Sequence, residues 1–119
     1  MAHPFVHLEL ATADPGAAKE FYAKLFGWKL QDVEFPFGTY TMIDAGREPG
    51  GGIMKQMLPG AGSAWRAYVL VDDIEAATAQ ARALGATLLK DVYEVPGTGW
   101  LSIVADPTGA ELGLWQPKM

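Results

Sequence analysis

Residues 5–10 alternate in character, with Val6, Leu8 and Leu10 on one side and His7 and Glu9 on the other, which is the two-residue period of a half-buried strand. The period then changes. Asp14-Pro15 offers a capping carboxylate and a proline suited to a first helical position; Ala17, Ala18, Phe21, Tyr22, Leu25 and Phe26 follow at helical spacing until Gly27. Three short strands are predicted over 28–33, 38–44 and 52–57, and Phe21, Tyr22, Phe26 and Trp28 are expected in the core. His3 is expected in a frayed, exposed terminus.

Residues 59–64 have linker composition, and the same succession restarts beyond them. Residues 65–71 alternate, with Arg66 and Tyr68 opposite Ala67, Val69 and Val71. Asp73 caps a second helix whose stripe is Ile74, Ala77, Ala81 and Leu84, ending at Gly85. Strands are predicted over 86–90, 99–105 and 110–116, the last two joined by the turn sequence Asp106-Pro107-Thr108-Gly109. Each half reads β-α-β-β-β. The expected architecture is therefore α+β, one domain built of module 1 (1–58) and module 2 (65–119) joined by linker 59–64. One such half leaves a sheet face bare, so the modules should pair into a cup-shaped mixed sheet with the helices on its outer face. The polar positions His7, Glu9, Arg66, Tyr68 and Glu111 should then face the concavity, a natural place for a small molecule.

Composition narrows the classes. Half of the 119 residues are hydrophobic and there is no cysteine, which excludes disulfides, thiolate metal ligands and a cysteine nucleophile. Nine Lys and Arg against 14 Asp and Glu give a net charge of −5, without the clustered cations that nucleic acid requires. No apolar run suits a membrane span and no basic segment leads an apolar one at the N-terminus, so a cytoplasmic protein is expected.

Three stretches carry a family resemblance: His7-x-Glu9-x4-Asp14 through Phe26-Gly27-Trp28, Val71-Asp-Asp-Ile through Leu84-Gly85-Ala86, and Ala105-Asp-Pro-x-Gly109-x-Glu111 through Trp115-Gln116. In this order the chain resembles the vicinal oxygen chelate superfamily, the group of glyoxalases, bleomycin resistance proteins and extradiol dioxygenases. The resemblance implies a metal held by the first and last strands of each module. Here those positions supply His7 and Glu111, while internal symmetry puts Arg66 and Gly51 at the other two, and neither of these can ligate. Zn, Fe, Ni or Mn would thus find two of the usual ligands, with Glu9 a further oxygen on the strand of His7.

Glu9 and Glu111 are the candidate catalytic bases, and Arg66 is either an anion clamp or the ion-pair partner of a glutamate. Tyr40, Tyr68, Trp100 and Trp115 are candidates for a flat ligand, against the alternative that they serve packing. Two functional readings stand. One is a glyoxalase-like enzyme with isomerase, lyase or dioxygenase chemistry on a small metabolite or xenobiotic, with or without one divalent metal. The other is a metal-free protein that binds and sequesters a small molecule or antibiotic. A homodimer is expected, with no nucleic-acid or membrane partner.

Overall fold

The computed structural model describes residues 2–119, which divide into two compact units, Val6–Arg66 and residues 2–5 with Ala67–Met119. Both have the predicted order of elements. The first contains β1 (Phe5–Thr12, entering at Val6), α1 (Pro15–Phe26), β2 (Lys29–Phe35), β3 (Gly38–Asp44) and β4 (Gly51–Lys55). Its strands run in the order β2-β3-β4-β1, antiparallel except that β1 pairs in parallel with β4. The second contains β5 (Ala64–Leu70, from Ala67), α2 (Ile74–Ala83), β6 (Thr87–Val95), β7 (Gly99–Ala105) and β8 (Glu111–Pro117), in the order β5-β8-β7-β6 with β5 parallel to β8.

Local chemistry fixes the helix ends. The Asp14 side chain accepts from the Ala17 N–H at 3.0 Å and Asp73 from the Ala76 N–H at 3.1 Å, each meeting a donor the first turn leaves unpaired. Gly27 closes α1 in the left-handed region at φ 69°, where a side chain would be strained. The turn before β8 is locked by Asp106, whose Oδ1 accepts from the N–H groups of Thr108 and Ala110 and from the Thr108 hydroxyl. Those hydrogen bonds, that of the Thr108 hydroxyl first, hold its carboxyl below the usual range.

Each helix covers its own sheet. Leu10, Ile43 and Ile53 form the first core under Ala18 and Tyr22, and Val71, Ile74 and Leu114 the second under Ala77. A buried hydroxyl pair, Thr78 on α2 and Ser102 on β7 at 2.8 Å, adds a polar tie that hydrophobic patterning does not announce.

Four expectations are corrected. Phe21 and Phe26 are each 57% exposed rather than in the core, because the apolar stripe of α1 is wider than the strip it lays on the sheet and only its Ala18–Tyr22 side is covered. On β1 Leu8 departs from the apolar face expected of it and is 42% exposed, although Leu10 is buried; Glu9, expected to face inward, is buried, with Tyr40 and Arg66 bonded to its carboxylate. His3 is exposed but not frayed; its Nδ1 lies 2.9 Å from the Leu70 carbonyl, and the Leu70 N–H donates to the Pro4 carbonyl. The strand predicted over 86–90 runs on to Val95 with register shifts near Lys90, irregularities that no alternation in the sequence marks. No helix is long and apolar enough to cross a membrane among the described residues.

Candidate functional site

The first unit gathers four of the sequence-predicted residues into one hydrogen-bonded chain. His7 and Glu9, two apart on β1, point to the same side. Tyr40 comes from β3 and Arg66 from the end of the unit. His7 Nε2 lies 2.7 Å from the Tyr40 hydroxyl, which donates to Glu9 Oε1 at 3.0 Å; Arg66 Nη1 donates to Glu9 Oε2 at 2.9 Å. Glu9 and Arg66 are buried at 4% and 5% exposure, whereas His7 and Tyr40 are half-buried. A molecule arriving from solvent would meet the imidazole and phenol first.

The network dictates where the protons sit. As the ion-pair partner of Arg66, the Glu9 carboxylate only accepts, so the Tyr40 proton points to it. The phenol oxygen must then accept from His7, which places the His7 proton on Nε2. Burial lowers the His7 pKa from its ordinary 6.5, against the opposing pull of the Glu9 charge. His7 is therefore neutral at pH 7, and its nitrogen remote from Tyr40 is an acceptor.

Arg66 forms an ion pair with Glu9, one of the two sequence readings of it. Tyr40 was legible only as an aromatic; its hydroxyl bond to both His7 and Glu9 was not. The remaining candidates lie in the second unit, where the three aromatics take part in packing. Tyr68 is buried at 3% with its ring over Gly113, Trp100 packs on the Val71–Ile74–Leu114 core, and Trp115 lies against Gly99. Glu111 opens β8 opposite Ala105 and is exposed.

A family model described as a glyoxalase-like domain matches residues 7–115. The chain belongs to the glyoxalase-like domain family. Among curated relatives, "Putative glyoxylase CFP32" of Mycobacterium bovis is 36% identical over 115 residues, covering 92% of this chain and 44% of that protein. "Anthracycline biosynthesis protein DnrV" of Streptomyces peucetius is 25% identical over 123 residues, covering 91% and 45%. The chain thus spans less than half the length of the curated relatives it matches. Among solved structures, methylmalonyl-CoA epimerase from Mycobacterium tuberculosis has the same fold, with a TM-score of 0.71 at 17% identity over 97% of this chain and 88% of that one. The expected membership of the vicinal oxygen chelate superfamily stands on these findings.

Glyoxalase-like proteins commonly carry a divalent metal, and the donors of the first unit do not fit one. Both Glu9 oxygens are engaged, by a phenol and a guanidinium, and a cation beside Arg66 would meet a fixed positive charge. Among the described residues no group of three His, Asp or Glu side chains converges. Three protein ligands is the usual minimum for a catalytic site.

Proposed function

We propose that this glyoxalase-like protein is a small-molecule acid–base enzyme that moves a proton at a carbon beside a carbonyl, with His7 as the proton acceptor. The observation that carries the reading is the chain His7–Tyr40–Glu9–Arg66, which joins a half-buried neutral imidazole to a buried carboxylate. In the step, the substrate C–H bond breaks, its proton passes to the His7 nitrogen remote from Tyr40, and the electron pair moves onto the carbonyl oxygen as an enolate. The imidazolium keeps donating its Nε2–H to the phenol oxygen, and the phenol keeps its own proton, donated in a hydrogen bond to the Glu9 carboxylate. Carboxylate charge thus stabilises imidazolium through one hydroxyl, the logic by which an aspartate supports a catalytic histidine. Arg66 donates to the other carboxylate oxygen and holds the carboxylate in place. Protonation of the same carbon from its opposite face by solvent, with His7 losing its proton to water, gives an epimerisation; transfer of the His7 proton to a neighbouring carbon gives an isomerisation.

Deuterium uptake tests this. The protein is incubated in heavy water with methylmalonyl-CoA, the compound in the name of a structural neighbour, and with thiol adducts of 2-oxoaldehydes. Uptake at the carbon beside the carbonyl, strongly slowed in His7→Ala, is expected. No uptake with either class, or equal uptake by the variant, overturns the assignment.

A second reading, sequestration without chemistry, draws support from the engagement of both Glu9 oxygens, since a closed ion pair can serve as the floor of a binding site. Saturable binding without exchange would favour it. We also propose a homodimer, supported by the apolar surface of α1, where Phe21, Leu25 and Phe26 are 57%, 56% and 57% exposed. Sedimentation at about micromolar concentration should give twice the chain mass, and a monomer mass would contradict it.

A further inference from the structure

Gly52 lies in β4 opposite Glu9 on one side and Met42 on the other. Its φ is not in the left-handed region, so no backbone demand explains a glycine there. Space does. A Cβ at Gly52 would fall 2.1 Å from Tyr40 Oη, 2.1 Å from Cε1 and 2.2 Å from Cζ, distances no real side chain adopts. The hydroxyl end of Tyr40, coming from β3, rests on the bare backbone of β4 at the very residue that pairs with Glu9.

The second unit has a related seat with a different content. A Cβ at Gly113 would fall 2.3 Å from Tyr68 Cδ2 and Cε2 and 2.7 Å from Cγ, so there the flank of the ring occupies the space. Tyr68 stands directly opposite Gly113 in the β5–β8 ladder, at the place that Glu9 holds opposite Gly52 in the β1–β4 ladder. Where the first strand carries the tyrosine, the seat packs a ring. Where it carries the glutamate, the seat holds the hydroxyl of a tyrosine from another strand.

We infer that Gly52 is a positioning residue: the missing side chain sets the Tyr40 hydroxyl between His7 and Glu9 and thereby fixes the His7 proton on Nε2. The inference rests on the acid–base reading of the array, but its test does not depend on turnover. Nitrogen-15 NMR reads the His7 tautomer in the wild type, Gly52→Ala and Tyr40→Phe. The wild type should show the proton on Nε2, and Gly52→Ala should lose that signature in the direction Tyr40→Phe does. Where deuterium uptake is measurable, Gly52→Ala should slow it roughly 10²-fold, the scale expected for displacing a catalytic group by an ångström. If Gly52→Ala does not fold, the Tyr40→Ala background decides. With the ring gone, adding Gly52→Ala should leave the urea midpoint close to that of Tyr40→Ala alone. A wild-type His7 signature in Gly52→Ala overturns the inference, as does an equally large midpoint loss in both backgrounds. A shifted tautomer in a protein whose wild type exchanges no substrate proton supports the positioning role while the proposed reaction fails.

Discussion

Replacing Arg66 by methionine should cost about 3–5 kcal/mol of unfolding free energy, the range for removing one partner of a buried ion pair. Both side chains of the Glu9–Arg66 pair are only 5% exposed, so the substitution leaves a carboxylate behind in a place water scarcely reaches. Methionine keeps the apolar stem, so the loss reports the charge rather than a cavity. In a domain of this size such a cost is a large part of the total stability. The companion change Glu9→Gln removes the stranded charge, and the double variant Glu9→Gln/Arg66→Met should be more stable than Arg66→Met alone. Urea unfolding of the four proteins measures the coupling. A single variant within about 1 kcal/mol of the wild type would show that the pair is solvated in solution and not the buried anchor described above.

The other large effect is on the reaction. His7→Ala removes the proposed proton acceptor and should lower the exchange rate about 10²- to 10⁴-fold, the usual contribution of a positioned general base. Tyr40→Phe keeps the ring on Gly52 but breaks the link from His7 to Glu9, so it should lower the rate too, by less than His7→Ala. The pH profile carries a sign. The neutral imidazole is the active form and burial lowers its pKa, so the rate should rise with pH through a point below 6.5 and be level by neutrality. A rate that falls as pH rises through that region would require the protonated form. Kinetics of deuterium uptake across that range, with folding checked by circular dichroism, distinguish these outcomes.

Much of the fold was legible in the sequence because local signals and periodicity agreed. Asp14 and Asp73 cap the two helices they announce, Gly27 ends the first in the left-handed region, and the Asp106–Gly109 turn is hydrogen-bonded as its composition implies. Packing partners were less legible. The stripe of α1 reads as core throughout, yet Phe21 and Phe26 lie outside the covered strip, since the sequence does not say how much of a helix a sheet will shelter. Glu9 reads as an inward-facing residue and is buried, but the strand pattern does not name what covers it, Tyr40 and Arg66, 31 and 57 residues away.

The candidate site was legible in its members and not in its wiring. His7, Glu9, Arg66 and Tyr40 were all nameable, the first three by strand position and family pattern and the last only by its ring. What joined them is a hydroxyl resting where a glycine makes room, and the available signal was Gly52, at the head of the predicted strand 52–57 in a glycine run that reads as a bend or a close approach. Glu111 opens β8 in the second unit, and its proposed pairing with His7 on a metal came from family pattern alone.

The titration of His7 in the intact wild-type protein, followed by its carbon-bound proton resonances, tests the central claim most directly. The account predicts a midpoint below 6.5, a neutral ring with the proton on Nε2 at pH 7, and a midpoint that moves in Tyr40→Phe. A midpoint at or above 6.5, unchanged by Tyr40→Phe, would contradict it.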